Sequence, residues 1–184
     1  MVGALIDPTR LIVLPLLPFF IAGHAIAGAA AAESPVVAET SAIALNWAVK
    51  ELDFDTTLRD RLRDQLARRG NYDVVFREPE AGEAIRTLLR ISVTSVRLAE
   101  AGQRAGSVNP SLYLQIVARM DVLERDEHGA SRLRASQHVS SVSGRRRVLR
   151  DWAAADARVF KERVREELDE IAGKIADTLL HASR

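Results

Sequence analysis

The first long apolar stretch is Leu11–Ile21, LIVLPLLPFFI, followed by a small-residue tail, AGHAIAGAAAAES. Ahead of it Met1–Arg10 is mixed, with Asp7 nearly cancelling Arg10. A short charged region, an apolar run of roughly 7–15 residues and an A-x-A site make a secretory signal peptide. Cleavage fits after Ala27 (Ala25-Ile26-Ala27) or after Ala32 (Ala30-Ala31-Ala32). The competing reading is an uncleaved inner-membrane anchor through residues 11–32, since about 20 apolar residues span a bilayer. Pro15, Pro18 and His24 weigh against it. The expected organisation is a signal peptide over 1–32, a flexible lead-in over 33–41 and one domain over 42–184.

The domain then changes period several times. Ile43, Leu45, Trp47 and Val49 alternate with Ala44, Asn46, Ala48 and Lys50, which predicts a strand with one buried face. Leu58, Leu62 and Leu66 follow at helical spacing, with Asp55 or Thr57 as the cap and Gly70 as the stop. Tyr72, Val74 and Phe76 alternate again, and Arg77–Arg86 reads as a connector. Leu89, Ile91 and Val93 share one face, but Val96 and Leu98 fall on the other, so a β-bulge or bend is expected inside that strand. Gly102–Pro110 reads as a polar loop. Leu112, Leu114, Ile116, Ala118, Met120 and Val122 form the longest alternation, and Arg125–Ala130 reads as a turn. Leu133, Ala135 and Val139 make a weaker strand. Its other positions, Arg132, Arg134, Ser136, His138 and Ser140, are polar, which suits a solvated face or a sheet edge. From Asp151 onward one apolar stripe, Trp152, Val159, Phe160, Val164, Leu168, Ile171, Ile175 and Leu179, predicts a helix of about 30 residues, ~45 Å long. The expected fold is α+β, in the order β-α-β-β-β-β-α, with a small, mostly antiparallel sheet backed by two helices.

Composition narrows the function. The 184 residues are 47% hydrophobic and 28% charged, which suits a folded domain. A net charge of +1 gives no bulk reason to expect a nucleic-acid partner. Cysteine is absent, which excludes disulfides, thiolate metal sites, cysteine nucleophiles and a lipid-modified N-terminal cysteine. A signal without that cysteine predicts a soluble periplasmic or secreted product.

Candidate chemistry is sparse. Asp53-Phe54-Asp55-Thr56-Thr57 resembles the DxDx(T/V) signature of haloacid-dehalogenase-type phosphatases. There one aspartate is the nucleophile and the next a general acid, beside Mg²⁺. From Met120 onward there is no strand-end acidic pair of the GDxxxD type, so a capped strand-to-helix junction is the plainer reading. His24, His128, His138 and His181 have no metal-ligand spacing, and neither the G-x-S-x-G elbow nor a phosphate-binding glycine loop occurs. No catalytic residue, metal or cofactor is assigned, and the chain is not expected to be an enzyme. Arg145, Arg146, Arg147 and Arg150 form the one basic run, either a solvated loop or a contact. Trp152 beside it reads as a core anchor.

Trp47–Gly70, Tyr72–Phe76, Leu88–Val96, Ser111–Gly129 and Val148–Leu180 together resemble, in pattern, the amino-terminal domain of the TolB translocation protein. Curli-secretion and penicillin-binding-protein-activator lipoproteins are similar in plan, as are auxiliary lipoproteins of envelope ABC transport systems. The resemblance implies a non-catalytic adaptor that binds another envelope protein, with a transport or lipid-handling accessory as the alternative. The chain lacks both a lipobox cysteine and a downstream β-propeller. Expected contact residues are Arg132, Arg134, His138, Arg145, Arg146 and Arg147. Membrane contact is expected only if the signal segment is retained.

Overall fold

Ala38, Ser41, Leu45 and Ala48 recur at helical spacing and are the buried face of the first helix, α1 (Pro35–Glu51). In this computed structural model, which describes residues 10–14, 35–69, 73–75, 87–100, 111–126 and 130–182, the segment expected as the first strand is therefore helical. A strand would bury Ile43 and Trp47 together with Leu45. Instead Leu45 is 1% exposed, while Ile43 is 50% and Trp47 60% exposed. The alternation arose because α1 carries apolar residues on two faces, and alanine-rich sequence favours helix over strand. Pro35 opens α1, where a missing N–H leaves no hydrogen bond unmade. Helix thus begins inside the stretch expected as a lead-in.

The second helix, α2 (Phe54–Arg69), buries Phe54, Leu58, Leu62 and Leu66. Its cap is Asp53, not Asp55 or Thr57. Asp53 Oδ1 accepts the Thr56 N–H at 3.0 Å, and Oδ2 accepts the Thr56 hydroxyl at 2.7 Å. The Arg77–Arg86 connector, the Gly102–Pro110 loop, the middle of the Arg125–Ala130 turn and Gly70 lie outside the described residues.

Among the described residues five strands form one sheet, in the order β2-β1-β3-β4-β5. They are β1 (Arg10–Leu14), β2 (Asp73–Val75), β3 (Thr87–Glu100), β4 (Leu112–Arg125) and β5 (Ser131–Val142). β1 lies parallel to both neighbours, with Leu11 opposite Val74 and Val13 opposite Leu89. It falls within the stretch read from sequence as a secretion signal, so cleavage after Ala27 or Ala32 would remove it. β3, β4 and β5 are antiparallel. The register of β3 slips between Val93 and Ser95. The extra residue, Thr94, returns Val96 and Leu98 to the face that buries Leu89, Ile91 and Val93, the bulge that the change of phase predicts. Asp55 Oδ1 accepts the Val93 N–H at 3.0 Å and so ties α2 to this bulge.

The last helix, α3 (Leu149–Ala182), covers the inner face of β4 and β5 and packs against α1 and α2. The observed fold is α+β with a long C-terminal helix, and the described residues form three helices where two were expected. Trp152 is buried at the start of α3, donates Nε1–H to the Leu112 carbonyl at 3.2 Å and meets Phe160 edge-on at 6.5 Å. Between those rings α3 is broken: Ala155, Asp156 and Ala157 have φ of 50°, 56° and 54°, one left-handed turn without glycine. The core between sheet and helices is filled by residues such as Leu114, Ile116, Trp152, Val164, Leu168 and Ile171.

Candidate interaction surface

β5 ends the sheet, and among the described residues no strand pairs with its outer side. Its backbone orientation follows from two bonds. Ser143 N–H donates to the Leu114 carbonyl at 2.8 Å, which turns the odd-numbered backbone groups of this stretch toward β4. The even-numbered groups of Ser136, His138, Ser140 and Val142 therefore point outward. Lys174 confirms the direction: its Nζ donates to the Ser140 carbonyl at 2.8 Å while pairing with Glu170 Oε1 at 2.7 Å. A lysine over an edge carbonyl protects the edge at that point. The stretch around Ser136 and His138 has no such cover from α3 among the bonds of the described residues.

The side chains of β5 divide between two faces. Arg134 is the extra residue where the register slips, since Leu133 stands opposite Leu123 and Ala135 opposite Val122. Beyond it Ser136, His138 and Ser140 stand on the outer face, away from the helices, opposite Asp121, Arg119 and Val117. Arg132 stands opposite Glu124, and Arg134 forms an ion pair with Glu124. The bulge thus breaks the single polar face read from sequence. Arg145 and Arg146 lie exposed beyond the end of β5. Arg147 is half-buried, and its backbone pairs with Leu112 at 2.8 and 2.9 Å. Arg134 and Arg145 are separated by most of β5, roughly 25 Å or more at ~3.3 Å per residue. The six residues named from sequence therefore do not form one cluster.

The outer face contains residues the sequence reading passed over. Arg90, Ser92 and Arg97 of β3 stand opposite Asp121, Arg119 and Gln115 of β4. Asp121 is buried, accepts Arg119 Nε at 2.8 Å and accepts the Ser136 hydroxyl at 2.6 Å. Burial opposes its charge, but Ser136, Arg119 and the field of Arg90 outweigh it and hold the carboxyl below its ordinary value. Arg97 Nε donates to Gln115 Oε1 at 2.7 Å. The available signal was the set of positions left over once the apolar face of each strand had been assigned.

The phosphatase-like aspartates are held in other roles. Asp53 caps α2, and its pKa is lowered chiefly by the Thr56 N–H. Asp55 holds the β3 bulge. Among the described residues no group of three or more His, Asp or Glu side chains could hold a metal, and no helix is long and apolar enough to cross a membrane.

No family model matches the sequence, and no curated protein matches it, so the TolB-like resemblance has no family match behind it. Among solved structures the chain is similar to a minor lipoprotein from Acinetobacter baumannii. The TM-score is 0.49 with 14% identity, covering 95% of this chain and 92% of that one. It is also similar to a hypothetical protein from Chlamydia trachomatis, with a TM-score of 0.46 and 8% identity, covering 93% of this chain and 98% of that one.

Proposed function

We propose that this chain is a non-enzymatic adaptor domain of the bacterial cell envelope that takes up an extended segment of a partner protein beside β5. The observation that carries the reading is the outer side of β5. Ser136 and His138 present outward backbone N–H and C=O groups at a sheet edge, a template for strand addition. The polar side chains around it suit a contact that forms and separates in water. Lys174 limits the template at Ser140.

The envelope part of the reading rests on the apolar run Leu11–Ile21 and the two A-x-A sites after it. Strand β1 is an observation on the other side, and intact mass separates the two. A native chain starting near Gly28 or Glu33 supports export with processing, and an intact Met1 overturns it. Strand addition is tested with His138→Pro. Proline there removes an outward donor and leaves the β4 side of the ladder intact. Photo-crosslinking from position 136 in the native envelope should give a defined adduct that His138→Pro abolishes at unchanged melting temperature. An adduct that survives His138→Pro sinks the proposal.

A further inference from the structure

We infer that the segment received beside β5 is acidic, with carboxylates at alternate positions; this rests on the strand-addition reading above. Two observations carry it. First, a strand added beside β5 would present every second side chain on the outer face of the sheet, beside His138 and Ser136. Second, that face is unevenly charged. From Arg90 to Leu98, Gln115 to Asp121 and Ala135 to Val142, its cations are Arg90, Arg97 and Arg119, with His138 beside them. Its one carboxylate, Asp121, is buried and already engaged by Ser136 and Arg119.

The geometry suits carboxylates in particular. Arg119 stands directly across from His138, in the strand next to the edge. Its Nε is anchored on Asp121 and its side chain is 45% exposed, so a fixed, water-accessible guanidinium stands beside the edge strand. A carboxylate opposite His138 would lie about one strand spacing, ~4.8 Å, from His138 and about two from Arg119, where the field of the arginine row favours it. A lysine in the same place would meet the arginine row with like charge and no counter-ion.

The test uses three eight-residue peptides, alternating threonine with glutamate, glutamine or lysine, titrated to millimolar concentration into the full-length chain. Backbone amide shifts of Ser136 and His138 report binding. The glutamate peptide should bind at least about threefold tighter than the glutamine peptide, and the lysine peptide weakest, with the preference shrinking as salt rises. Arg119→Gln should erase the preference and Arg119→Lys restore part of it. Should Arg119→Gln loosen the fold through Asp121, His138→Glu serves instead, since it puts a like charge at the docking position. Equal binding of all three peptides at Ser136 and His138 overturns the acidic preference and leaves strand addition standing. No shift at either amide with any peptide overturns both.

Discussion

Asp53 and Asp55 stand two residues apart and serve unrelated ends. Asp53 closes the first turn of α2, and Asp55 reaches across to the backbone of β3. Asp53→Ala should cost about 1 kcal/mol, a cap's usual contribution, and lower the melting temperature by about 2–4 °C in a chain of this size. Asp55→Asn keeps an acceptor and should be milder than Asp55→Ala, as thermal denaturation of both will show. The acid limb of stability follows from three carboxyls. Asp53 is held low by Thr56, Asp121 by Ser136 and Arg119 against its burial, and Glu170 mainly by Lys174. Each has a depressed folded pKa, so its contribution is complete above the unfolded value near 4 and is lost as pH falls through the folded value. Stability measured by urea denaturation should therefore be flat near pH 6–7 and decline below about pH 4. In Asp121→Asn that acid decline should be shallower. The DxDxT pattern was legible in the sequence. Its meaning was not, because a capping aspartate and a nucleophilic one look alike until their partners are seen.

Among the elements, α1 shows how periodicity misleads. Leu45 is buried, while Ile43 and Trp47, two residues to either side, face solvent with Lys50 over the Trp47 ring at 5.3 Å. Leu45→Ala should cost roughly 2–5 kcal/mol and Ile43→Ala within about 0.5 kcal/mol, whereas a strand would make the two alike. The bulge in β3 was legible because a bulge changes the parity of an apolar face, which a sequence records directly. The bulge in β5 was not, since Leu133 and Ala135 keep one parity in the sequence although Arg134 between them puts them on different faces. The break in α3 was also hidden: neither glycine nor proline marks it, and the apolar stripe continues through it. Left-handed residues other than glycine cost roughly 1–2 kcal/mol each. Ala155 and Asp156 are exposed, so Ala155→Gly or Asp156→Gly should raise the melting temperature by a few degrees. Ala157 is fully buried, and the methyl it would lose is part of the core.

For the whole molecule the decisive element is β1, which holds the parallel and antiparallel parts of the sheet together. A chain beginning at Glu33 lacks the strand between β2 and β3. It should melt roughly 5–10 °C below the full-length chain, from a few kcal/mol of lost pairing. Hydrogen exchange should show the loss first in Asp73–Val75, which would have no neighbour. The α+β class, the edge position of β5 and the covering C-terminal helix were all legible from alternation and helical spacing. The place of Leu11–Leu14 was not, because a short continuous apolar run suits a leader and a buried parallel strand equally.

That central position also sets a timetable. Leu14 stands opposite Arg90, so β1 leaves the ribosome long before the strand that completes its ladder exists. At roughly 5–20 residues per second the wait is about 4–15 s. During that interval an apolar segment near the start of the chain has no strand to pair with, and any apparatus that gathers such segments has first access to it. If such an apparatus captures these residues before β3 is made they serve as an address, and if none does they become a strand.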